Sequence, residues 1–201
     1  MNEHVYARLV GYGLAIVPRA PFTLERLGPS DLPIRVTHGQ TSAVLATPSH
    51  GPSDLSNVAD VAPGPTDDFW SIETSPFEAV WPQGFTVHHD PSGPPGFYLQ
   101  SAAQALVFAQ GPYPQAKIPA LERMAAPGQA LCQVHITGLV QWVHLSYSIG
   151  AVPWVQRHHV VPLGSEYRVI VTFQAPEAVS APALIAAGPF ITSIAAPRGA
   201  A

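Results

Sequence analysis

A chain of 201 residues that is 47% hydrophobic and only 11% charged has the apolar material for a core, which excludes a disordered segment. Nine basic against thirteen acidic side chains, a formal net charge of −4, leave no cluster of Lys and Arg for a phosphate backbone, so nucleic acid is not an expected partner. The 23 prolines and 16 glycines forbid long uninterrupted elements and make punctuation the main guide to the fold.

Taken in chain order, the first twenty residues lack the basic start and unbroken apolar centre of a secretory signal, because Gly11 and Gly13 interrupt the stretch from Leu9 to Val17. No later window reaches the roughly 20 apolar residues of a membrane helix, so no transmembrane segment is expected. Residues 1–48 read as an N-terminal extension with two or three short strands, at Leu9 to Val17, Leu32 to Val36 and Ser42 to Ala46. These are too few to bury a core alone, so the extension must pack on the remainder or on a partner. Residues 49–68 read as a linker, since Pro48 to Asp54 and Ala62 to Asp68 are built of turn residues. From residue 69 to 197 the pattern sharpens into one domain, with 198–201 as a tail.

Within that domain Phe77 to Trp81 and Phe85 to His88 alternate across a Pro82-Gln83-Gly84 turn. Strands at Phe97 to Gln100 and Ala105 to Gln110 follow the breaker-rich loop from Asp90 to Gly96. Ile118, Leu121, Met124 and Ala125 fall at helical spacing, with Pro119 in the first turn and Pro127-Gly128 as the stop, which predicts a short helix. Leu131 to Thr137, Val140 to Ser148, Trp154 to Val161 and Tyr167 to Phe173 read as four successive antiparallel strands. Pro176 opens an alanine-rich helix that Gly188-Pro189 is expected to close, and Ile191 to Ile194 reads as a last short strand. The expectation is an α+β fold: an antiparallel sheet of about six to seven strands covered by two helices, with the strand-bearing extension in front.

The run Phe77-Glu78-Ala79-Val80-Trp81-Pro82-Gln83-Gly84-Phe85-Thr86-Val87, with its strand, Pro-x-Gly-aromatic turn and second strand, resembles the PsbP-like superfamily. That group holds a photosystem extrinsic protein, a Ran-binding nuclear-transport accessory protein and many small bacterial proteins and lipoproteins. The likeness extends over residues 69–197 through the Leu121 helix, the long hairpins and the final helix before Ile191-Thr192-Ser193-Ile194. It implies binding, assembly or chaperoning rather than catalysis.

The residues themselves offer no enzyme signature. No Gly-x-Ser-x-Gly elbow occurs, Ser146 and Ser148 lie in a regular strand, and the acids Glu73, Glu78, Asp90, Glu122, Glu166 and Glu177 are scattered one per element. Gly11-Tyr12-Gly13 lacks the rest of a phosphate loop, and no cofactor is expected. Cys132, the single cysteine, cannot form an internal disulfide and fits a reducing, cytoplasmic setting as a buried structural thiol. Nine histidines are many. His88, His89 and Asp90, at a strand end, and the pair His158 and His159 are candidate divalent-metal ligands, with a polar strand end or a hydrogen-bonded stripe as the structural alternative. His135 and His144 occupy the two preceding strands, close enough for one of the pair to meet them. Among the aromatics, Tyr98, Trp142, Tyr147 and Trp154 are the candidates for an apolar groove on a sheet face. The leading expectation is a non-enzymatic binding or assembly module acting through protein contacts, with the extension toward another protein and room for a homo-oligomer. The alternative is a small-ligand or metal-binding protein using the histidine pairs.

Overall fold

The computed structural model describes residues 7–46, 55–92 and 96–198. Its strands in chain order are β1 Ala7–Gly11, β2 Leu14–Pro18, β3 Phe22–Arg26, β4 Ile34–His38, β5 Thr41–Leu45, β6 Ala59–Pro63, β7 Ser71–Thr74, β8 Glu78–Val80 and β9 Phe85–His89. They continue with β10 Phe97–Ser101, β11 Leu106–Pro114, β12 Ala130–His135, β13 Gln141–Ile149, β14 Val152–Leu163 and β15 Tyr167–Pro176, and the helix α1 Glu177–Ser193 closes the chain. Two antiparallel sheets result, one ordered β6-β2-β1-β7-β8 and one ordered β12-β13-β14-β15-β11-β10-β9-β3-β4-β5.

This corrects the α+β expectation. The fold is mostly β, with fifteen strands in two sheets and one helix among the described residues. It departs equally from the two-helix layer arrangement expected with the PsbP-like likeness. The segment at Ile118 to Ala125 forms two single 3-10 turns, Gln115–Lys117 and Leu121–Arg123, not a helix. The spacing of Ile118, Leu121 and Met124 is real, but what it achieves is to cap an apolar cluster with Val143, Leu145 and Val160, which one turn accomplishes. The second helix survives Gly188-Pro189 and absorbs the segment expected as a last strand. Its interior holds Pro182 and Pro189, yet Ala183, Ala187, Phe190 and Ile191 line one buried face, and that packing outweighs the lost backbone bonds. Ser193 Oγ then accepts a 2.8 Å bond from the Val80 amide, tying the helix end to β8.

The N-terminal segment carries five strands rather than two or three. Tyr12 (φ 53) and Gly13 (φ 79) make the tight β1–β2 turn, since two successive positive φ angles match the twist of a two-residue hairpin. β1 pairs with β7 and β3 with β9, so residues 7–45 share sheets and one core with the segment beyond residue 69. Part of the expected linker is strand: β6 pairs with β2 from Leu14↔Pro63 to Pro18↔Ala59, with Pro63 tolerated on a sheet edge. The turn-rich run Pro48 to Asp54 and the breakers Gly93 to Pro95 lie outside the described residues.

The buried sides of the two sheets, including Leu9, Ile16 and Ile72 from one and Leu24, Val36, Val87, Leu99 and Val107 from the other, form a single cluster. Trp70 and Trp81 are fully buried there, and each indole N–H is satisfied by a carbonyl: Asp31 at 2.9 Å and Phe85 at 2.7 Å. Ten strands face five, so the larger sheet outruns its cover. Its far end, β13 to β15, is roofed instead by α1, which packs on β14, β15 and β8. Among the described residues no helix is long and apolar enough to cross a membrane.

Candidate functional site

The overhanging end of the large sheet gathers most of the side chains singled out in the sequence. Register places Trp142 opposite His135 on one side and His159 on the other, His144 opposite Arg157, and Tyr147 opposite Trp154. Alternation then splits them. His135, Trp142, His144, Arg157 and His159 face α1, while Tyr147, Trp154, Gln156 and His158 face away.

On the outward face His158 is fully engaged. The Gln156 amide donates to its Nε2 at 2.8 Å, so its Nδ1–H donates to Thr172 Oγ1 at 2.9 Å, and Gln129 donates to Gln156 Oε1 at 2.8 Å. Burial lowers its pKa, which keeps the ring in this neutral, bonded form. Tyr147 and Trp154 lie with ring centroids 6.3 Å apart. Tyr98 is on β10, separated from them by β11 and β15, and stacks on His88 at 4.8 Å. Trp142 is on the opposite face, so the four aromatic candidates do not form one groove.

His88, His89 and Asp90 line one cleft of about 270 Å³ together with Tyr98, but each is engaged by a separate partner. His88 is desolvated against Tyr98, and burial lowers its pKa. His89 Nδ1 bonds the Gly96 carbonyl at 2.6 Å, and its ring lies 5.1 Å from Phe22. Asp90 accepts from the Ser92 amide and hydroxyl at 2.9 and 2.6 Å, and these bonds hold its carboxyl below the usual carboxylate range. Among the described residues no three His, Cys, Asp or Glu side chains group as metal ligands. Cys132 is not the buried thiol expected: it is exposed on β12, the edge strand of the large sheet.

The inward face is different. The Trp142 indole is stacked on His135 (5.1 Å, 10° between planes) and covered by the Arg157 guanidinium 4.2 Å from its centroid. Arg157 Nη2 lies 3.0 Å from His144 Nδ1, so that imidazole nitrogen accepts. Burial, reinforced by the Arg157 charge, lowers the His144 pKa, while Glu177 at the head of α1 opposes the shift. Burial, followed by Arg157 and His158, drives His159 down to about 4, and its Nε2 is buried without a partner. Beside this cluster, between β13, β14, β15 and α1, is a cavity of about 340 Å³ walled by Val155, Phe173, Leu184 and Ile185, with His144 and Arg157 at its polar end.

Arg157 was not a sequence candidate. The signal was available: from Ala130 to Pro176 the only acidic residue is Glu166, so a cation placed in these strands finds no partner along them. A scan against protein-family models found no match, and searches of the curated proteins and of the solved structures found none either.

Proposed function

We propose that the chain is a non-enzymatic assembly module that pairs with a second copy along β12. The observation that carries this reading is the character of that edge. β12 ends the ten-stranded sheet, is exposed over most of its length, and has no Lys, Arg, Asp or Glu from Ala130 to Ile136. Proteins that stay apart guard such an edge with charge, proline or cover. β12 has none of these along Ala130–His135 but does carry a register shift, a further guarding device, between Leu131 and Gln133, and Gln133 to His135 remain in regular register beyond it. Leu131 (47% exposed), Ile136 (66%) and Leu139 (85%) continue the edge as an apolar row. Self-pairing about a two-fold axis opposes residue i to residue j and j to i, and a strand without charges makes no like-charge contact in any such register. The N-terminal strands are less suited to this contact. β1, β2, β3 and β4 each already have two strand neighbours, and β5, the opposite edge, exposes only Val44 among its large apolar residues.

The test is molar mass by light scattering across a concentration series, for the full chain and for the Leu131→Lys/Ile136→Lys double variant. A doubled mass that reverts to the single-chain value in the variant is the expected result. A wild-type chain that stays at single mass throughout, or a dimer indifferent to the double substitution, overturns the reading.

A further inference from the structure

The eight arginines of the chain differ in how their charge is met. Arg8, Arg19, Arg26, Arg35 and Arg198 each have a carboxylate within ion-pair distance. Arg123 is exposed on its 3-10 turn, and Arg168 is hydrogen-bonded to Gln115 and to backbone carbonyls at the surface. Arg157 is half-buried, with an indole face and one imidazole nitrogen as its recorded partners. Its Nε is buried and unpaired. The same holds for Arg8 and Arg26, but their guanidinium ends hold Glu73 and Asp31. Desolvating a cation without an anion is costly, and an anion brought to it recovers that cost.

The cavity next to Arg157 has the remaining properties of a site. Its volume of about 340 Å³ is at the small end of the range of about 300–1,000 Å³ in which small molecules are held. Four apolar side chains wall it, and Ile185, 79% exposed on the helix, is a large apolar surface that an occupant would cover. Ser180, in the first turn of α1, also lines it, and no side chain caps that helix end. Glu177 is the acid that acts on His144, yet it makes no ion pair with Arg157.

From this geometry we infer that the cavity between α1 and β13–β15 binds a small amphipathic anion, a carboxylate carried on an apolar body, with Arg157 holding the carboxylate and Val155, Phe173, Leu184 and Ile185 holding the body. The site is independent of the β12 edge, since its walls lie on the inward face and on α1.

Isothermal titration calorimetry on the full chain tests it with three probes: octanoate, its uncharged twin octanol, and acetate, which has the charge without the body. Octanoate is expected to bind saturably at one site, with octanol and acetate at least about tenfold weaker, the size of one charge-assisted contact. Arg157→Gln should weaken octanoate about ten- to a hundredfold, to the level of octanol. Ala181→Trp, which fills the cavity from the exposed helix side and leaves Arg157 in place, should remove binding while the far-ultraviolet spectrum is unchanged. Absence of octanoate binding, equal affinity for octanoate and octanol, or binding that survives both substitutions overturns the inference.

Discussion

Replacing His159 with phenylalanine should flatten the acid limb of the stability profile. The His159 imidazole is buried on the inward face beside Trp142 and Arg157 and charges only at about pH 4 in the fold, against about 6.5 in an unfolded chain. Between those values the unfolded state binds a proton that the native state refuses, so stability rises with pH across the window. The contribution is complete above about pH 6.5 and is lost as pH falls toward 4, by about 3 kcal/mol in all and about 2 kcal/mol by pH 5. For a chain of this size 2 kcal/mol corresponds to about 4–8 °C in Tm. Phenylalanine keeps an aromatic ring at this position, removes the titration and also removes the unpaired Nε2, and its larger ring acts alike at both pH values. Urea unfolding of both proteins at pH 7 and pH 5 should therefore show a wild-type loss exceeding that of His159→Phe by about 2 kcal/mol. His88, His144 and His158 are also shifted downward, but they are common to both proteins and cancel in the comparison. Identical losses in the two proteins would refute the burial argument.

Two further substitutions separate effects that look alike in sequence. Arg26→Met removes a side chain that pairs with Asp31 at 3.0 Å, donates to the Trp81 carbonyl at 2.7 Å and covers the Trp81 ring, and it should cost about 3 kcal/mol by urea midpoint. Arg35→Met, whose partner Glu25 is nearer at 2.7 Å but solvent-exposed, should cost under about 1 kcal/mol. Gly64→Ala would put a methyl 2.2 Å from the Leu14 carbonyl oxygen and should destabilise by about 1–3 kcal/mol, whereas Gly28→Ala, with open space around it, should be near neutral in the same assay.

What was legible in the sequence was local. The strands from β9 to β15 appear within a few residues of their expected bounds, because alternation there runs unbroken between turns. The missed elements are those in which a distant contact overrides a local signal. Ala62-Pro63-Gly64 reads as linker, yet the bare Gly64 is what lets the chain lie against Leu14 at the end of β6. Gly188-Pro189 reads as a helix stop, yet Phe190 and Ile191 are buried only if the helix continues. The candidate site divides in the same way. His158 and His159 were visible as a pair, but their fates differ by which face each one took: one is neutralised by Thr172 and Gln156, the other buried against a cation. Arg157 escaped notice because its importance lies in a missing partner, and absence of an acid over a long stretch leaves no motif.

The mismatch between the sheets explains why both proposals fall at one end of the molecule. A sheet face must be covered, and five strands cannot cover ten. Over β3, β9, β10 and β11 the smaller sheet supplies a matched apolar surface, and the buried side chains there are mainly Val, Leu and Phe, with one buried cation, Arg26, held by Asp31. Past that overlap the cover changes to a single helix, and the small Ser180 and Ala181 at its start leave space above the sheet. Polar groups are tolerated under such a roof because part of their surface stays wet, which is where His144, Arg157 and Trp142 sit. Farther out the inward cover ends, and β12 is left with no strand beyond it and no guarding charge. If that gradient from matched cover to none is what exposes Arg157, then substituting Ser180 and Ala181, which line the cavity and lie outside the buried core cluster, with larger apolar residues should close the cavity without disturbing the overlap core. The same change should leave the β12 edge untouched, so octanoate binding would fall while the mass measured by light scattering stayed as in the wild type.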